Sequence, residues 1–122
     1  MVLVDTSVWI DHLRASVPEL VRLLEDDQAF THPWVRGELA LGSFRDRTAF
    51  LDLLESLPPV EPVTDAAVLA LVEQRRLFGR GIDWVDAQLL AACVNHPCRL
   101  WTRDRRLAAV AQELGVQWGP AS

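Results

Sequence analysis

The sequence predicts a three-layer α/β fold, with helices on both faces of a central, mostly parallel sheet of four to five strands. Short apolar runs with β-branched residues, such as Val2, Leu3 and Val4, suit buried strands. Longer segments with helical periodicity separate these runs. Joining parallel strands needs crossover connections, and those connections cover the sheet faces. A chain of 122 residues has the length of one domain, so residues 1–122 are read as a single unit. With 50% hydrophobic residues it has the apolar surface to offset chain entropy, which excludes disorder and removes the need for a disulfide or structural zinc.

The first strand, 2–4, runs into Asp5, Thr6 and Ser7, residues that favour helix N-caps, and Trp9 with Leu13 at i, i+4 supports a helix to about Ala15. Pro18 opens a second helix through Leu20, Val21, Leu23 and Leu24, which the acids at 25–27 terminate by opposing its dipole. A second strand follows at 28–31. Pro33 then starts a helix whose face runs through Val35, Leu39 and Gly42 to about Ser43. An amphipathic helix over 45–57 ends at Pro58 and Pro59, and the segment 60–63 is an edge strand at most, because Pro62 has no amide hydrogen to donate. Thr64 or Asp65 caps a helix that ends in the glycine-bearing 79–81. Asp83 starts the next, which Pro97 stops. Residues 98–102 alternate as a strand, Leu107, Val110, Ala111 and Leu114 form a last helix closed by Gly115, and 116–118 is a candidate final strand. Residues 120–122 read as a loose tail.

The net charge of −5 has the wrong sign for holding nucleic acid by bulk attraction, so such a partner would need a metal ion. All 12 basic residues are Arg, which excludes chemistry that requires a lysine amine. Cys93 and Cys98 lack the second ligand pair of a zinc site and read as buried small hydrophobes. His12, His32 and His96 show no ligand spacing. No apolar run is long enough to span a membrane, and Asp5 interrupts the first hydrophobic stretch too early for a signal peptide, so a cytoplasmic location is expected.

Ligands of open parallel sheets collect at the carboxyl ends of strands, near the point where strand order reverses. Asp5 and Asp104 each follow a strand, Asp86 sits in the first turn of the helix after Gly81, and Glu38 lies on a helix where Trp34 and Leu41 are expected to shield it. Each admits a structural reading. Asp5 and Asp104 suit N-caps, Asp83 and Asp86 have capping-box spacing, and Glu38 suits a solvated helix face. If the acids converge, their repulsion calls for a cation, and oxygen-only ligands favour Mg²⁺ or Mn²⁺. Water-mediated phosphodiester hydrolysis fits such a site.

Four stretches carry a resemblance: VLVDTSVWID at 2–11, RGELALG at 36–42, GIDWVDAQLLAA at 81–92 and LWTRDRRL at 100–107. In this order they resemble PIN-domain ribonucleases, particularly the VapC toxins of bacterial type II toxin–antitoxin pairs. The resemblance implies a PIN-like fold and a metal-dependent endoribonuclease. It assigns Asp5, Glu38, Asp86 and Asp104 as catalytic metal ligands for Mg²⁺ or Mn²⁺, with Thr6, Ser7 and Thr102 as supporting hydroxyls. It also implies an RNA substrate, a VapB-type antitoxin and a homodimer. Asp83 departs from the pattern, which often has a small residue there, and is read as a cap. Arg103, Arg105 and Arg106 are open to RNA phosphate contact or to a solvated helix start. Rival readings are an RNA-processing PIN-like nuclease without an antitoxin and a non-catalytic interaction module.

Overall fold

The computed structural model describes residues 1–119; the tail expected at 120–122 lies outside them. The elements run β1 (Val2–Val4), α1 (Thr6–Arg14), α2 (Pro18–Glu25), β2 (Ala29–Phe30), α3 (Pro33–Ala40), α4 (Arg47–Ser56), α5 (Asp65–Arg75), α6 (Trp84–Asn95), β3 (Arg99–Trp101) and α7 (Arg105–Glu113). Prolines at N1 open α2 and α3, where the missing amide hydrogen costs nothing. Thr64 caps α5 by accepting from the Ala67 amide, and Arg76 ends that helix in the left-handed region at φ 53, ahead of the glycines expected to do so.

The strands are parallel in the order β2-β1-β3, with Leu3 opposite Phe30 on one side and Leu100 on the other. The chain therefore moves one way from β1 to β2 and the other way from β2 to β3. Right-handed crossovers then place the two sets of connecting helices on opposite faces of the sheet. The sheet has three regular strands among the described residues, not four to five. The segments expected to flank it each make one isolated bridge, Thr31 with Pro59 and Leu100 with Gln117. On the first edge Pro58, Pro59 and Pro62 have no amide to extend the ladder. On the second, Gly119 at φ 135 leaves the extended conformation directly after Trp118.

The core centres on Leu3 and Leu100 of the inner strands with Trp9, Leu20, Leu89, Leu90 and Leu107 from the covering helices. Helix α6 is buried at every position from Ala87 to Cys93 and packs on both α5 and β3. A helix enclosed on all sides is a rigid mount for whatever its first turn carries. No helix among the described residues is long and apolar enough to cross a membrane.

Candidate active site

The order β2-β1-β3 puts the reversal of strand order between β1 and β3, so the carboxyl ends of these neighbours flank the crevice where ligands gather. Asp5 follows β1 directly, and its amide continues the ladder to the Trp101 carbonyl at 2.9 Å. It is 6% exposed and occupies the N-cap position of α1, yet its side chain makes no capping bond. Instead Oδ2 accepts from the hydroxyls of Ser7 and Thr102, each at 2.7 Å. Ser7 Oγ also accepts from the Arg103 amide at 2.9 Å, and Thr102 Oγ1 accepts from the Asp104 amide at 3.1 Å. One carboxylate oxygen thus locks the two strand ends together, and no donor among the described residues pairs with Oδ1.

Asp104 and Asp83 do act as caps. Asp104 Oδ1 accepts from the amides of Arg106 and Leu107 at 2.9 and 3.2 Å, opening α7. Asp83 accepts from the Asp86 amide at 2.8 Å while Asp86 Oδ2 accepts from the Asp83 amide at 3.1 Å, a complete capping box on α6. Asp83→Gly should therefore lower stability by at most about 1 kcal/mol, measurable by urea unfolding; a loss of several times that would show that Asp83 does more than cap. Gly81, which precedes this box, has φ 79, and a Cβ there would meet Arg106 Cδ at 2.6 Å. Arg106 therefore lies across the loop that leads to Asp86, a placement with no signal in the sequence. Arg103, by contrast, reaches Asp11 at 3.6 Å and stacks over Trp101 at 5.7 Å.

Glu38 enters from α3 through Thr6, whose hydroxyl donates to Glu38 Oε1 at 2.7 Å. The expected shielding is absent. Glu38 is exposed, because Trp34 and Leu41 are themselves exposed, at 44% and 91%. Together with Gly37 and Val85 they line a groove of about 470 Å³ beside the carboxylate.

Asp86 shows that the acids share one electrostatic neighbourhood. Burial first, and then the charges of Asp83, Asp5 and Asp104, raise its carboxyl from 3.8 to about 6, against a lowering bond from the Asp83 amide. Glu38 is not among the charges acting on it. A folded-state pKa above the unfolded one contributes stability that is fully present below about 3.8 and lost as pH rises through about 6. Buried His32 works in the opposite direction. Burial lowers it from 6.5 to about 4, so its contribution is present above 6.5 and lost as pH falls through about 4. Comparison with Asp86→Asn isolates the carboxylate. In chelator the variant should melt with wild type near pH 4 and above it at pH 7, and a gap independent of pH would contradict this account.

Among the described residues no group of three or more His, Cys, Asp or Glu side chains forms a ready-made metal cluster. The carboxylates are instead tied to local donors: Asp5 and Glu38 to hydroxyls, Asp86 and Asp104 to backbone amides. The donor chemistry still fits a hard divalent ion. Asp5, Asp86 and Asp104 are oxygen donors that interact through space, Glu38 is held to the same strand end by Thr6, and no histidine or thiol joins them.

Comparison with known proteins gives matching results. Residues 2–113 match the PIN domain family. The chain is 55% identical over 117 residues to Ribonuclease VapC32 of Mycobacterium tuberculosis strain CDC 1551 / Oshkosh, and equally to Ribonuclease VapC32 of strain ATCC 25618 / H37Rv. Each alignment covers 95% of this chain and 94% of the relative.

Proposed function

The chain belongs to the PIN-domain family, and on that premise we propose that it is a VapC-type endoribonuclease that hydrolyses RNA with Asp5, Glu38, Asp86 and Asp104 holding Mg²⁺ or Mn²⁺. The observation that carries this reading is Asp5, a buried carboxylate that caps no helix amide and whose Oδ2 is held by the hydroxyls of Ser7 in α1 and Thr102 beyond β3. When bound, the ion supplies charge neutralisation and activation of a water nucleophile. Ser7 and Thr102 hold Asp5 through Oδ2, which leaves Oδ1 to bind the ion. Thr6 orients Glu38, and the enclosed α6 holds Asp86. Attack by water predicts fragments with 5′-phosphate and 3′-hydroxyl ends, and single-stranded loops reach a recessed site more easily than helices do.

Incubation with total RNA, with and without Mg²⁺, followed by end mapping, tests this. Cleavage that persists in chelator, or 2′,3′-cyclic phosphate ends, would overturn it. A metal-free interaction module, the bland rival, would cut nothing and bind no Mn²⁺.

The groove of Trp34, Leu41 and Val85 beside Glu38 supports a partner segment there. For a VapC-type chain this is a VapB-type antitoxin whose apolar side chains lie in the groove and whose Arg pairs with the acids in place of the ion's charge. Changing that Arg to Ala should weaken inhibition; undiminished cleavage in the saturated complex would reject the plug. Without such an antitoxin, the chain would be an RNA-processing nuclease. The VapC-type reading also includes a homodimer, which a monomer in light scattering at micromolar concentration would reject.

A further inference from the structure

At the end of the sheet opposite the acids, α6 stops at Asn95 and the chain turns at Pro97 into β3, the Cys98 amide donating back to the His96 carbonyl at 2.7 Å. This tight turn, set by the fixed proline φ, returns Cys98 beneath the last turn of α6. Its sulfur then lies 3.1 Å from that of Cys93, and both thiols are free. They are buried by residue area, yet both border a cleft of about 700 Å³ whose rim includes Val2, His96, Arg99 and Trp118. The cleft brings open space up to the two residues that carry these sulfurs.

The two sulfurs differ in environment. The two thiols share one hydrogen bond; that contact favours the Cys98 thiolate, aided by the charge of the chain's N-terminus, while the same contact and burial push the Cys93 thiol up. A thiolate with a thiol in contact is the arrangement of an attacking and a resolving cysteine.

We propose that Cys98 and Cys93 form a peroxide-reactive dithiol, with Cys98 the attacking and Cys93 the resolving sulfur. The Cys98 thiolate attacks one oxygen of a hydroperoxide; the O–O bond breaks, the S–O bond forms, and the other oxygen leaves as water or an alcohol after taking up a proton. Cys98 is then a sulfenic acid. The Cys93 sulfur attacks it, the S–O bond breaks, and hydroxide leaves with the Cys93 proton as water as the disulfide closes. Two thiols are oxidised by two electrons and the peroxide is reduced by two. The sulfurs already touch, so closure draws together the end of α6 and the start of β3 without displacing the elements that carry Asp86 and Asp104.

Trypsin releases residues 81–99 as one peptide holding both cysteines. After hydrogen peroxide treatment of the native chain, this peptide should lose two hydrogens in mass and regain them with dithiothreitol. In Cys93→Ala a 1,3-dione should label the stranded sulfenic acid on Cys98, and in Cys98→Ala the remaining thiol should stay unlabelled. The proposal is overturned if the native peptide stays reduced at a dose that oxidises the denatured chain, if the bonds formed link separate chains, or if Cys93 alone labels as well as Cys98 alone. The wild-type mass shift stands by itself should either variant fail to fold.

Discussion

Asp5→Asn is expected to lower RNA cleavage by more than about 100-fold, beyond the loss typical of removing an outer partner of a metal site. The substitution keeps the shape and keeps an oxygen that can accept from Ser7 and Thr102, so the lock between the ends of β1 and β3 survives. What disappears is the charge. That charge is one of those that hold the Asp86 carboxyl up. The variant should therefore melt no lower than wild type while losing activity, a combination that a merely structural Asp5 would not produce. Thermal unfolding followed by circular dichroism, beside the cleavage assay, separates the outcomes. Retained activity, or a large drop in melting temperature, would count against the assignment.

The largest effect on stability is expected from Leu90→Ala. Leu90 is fully buried on α6, the helix enclosed by α5 and β3. Truncation there should cost about 2–5 kcal/mol, because the surrounding elements cannot collapse into the space. Set against the roughly 5–15 kcal/mol of a typical domain, this is a large fraction of the total. Since α6 carries Asp86 in its first turn, the loss should also appear as reduced cleavage near physiological temperature that recovers on cooling. An unfolding free energy within about 1 kcal/mol of wild type would show that α6 is less enclosed than described.

The positions of the helices were legible because prolines at 18, 33 and 97 and caps at Thr64, Asp83 and Asp104 punctuate the sequence. The outer strands were less so. Residues 116–118 and 60–63 were candidate strands, but ladder length depends on partner amides and on where the backbone leaves the sheet, which local pattern does not encode. Periodicity was also a poor guide to α6, where burial on every side removes the contrast between faces.

Asp5 and Asp104 were named from strand ends, Asp86 and Glu38 from their helices, and the capping box of Asp83 with Asp86 was read from spacing alone. The expected shielding of Glu38 failed because Trp34 and Leu41 are themselves exposed among the described residues. Arg106 over Gly81 and the hydroxyl bridge from Ser7 to Thr102 were not readable in full, because each joins residues distant in sequence through packing.

On the proposed function, Asp5 and its acidic neighbours form a divalent-metal site at the junction of β1 and β3. Titration of the chelator-treated protein with Mn²⁺, read by electron paramagnetic resonance of the free ion, tests it most directly. Wild type should take up Mn²⁺ saturably, Asp83→Gly should do so equally, and Asp5→Asn should leave the ion free over the same range. Equal uptake by wild type and Asp5→Asn, or none by wild type, would contradict it.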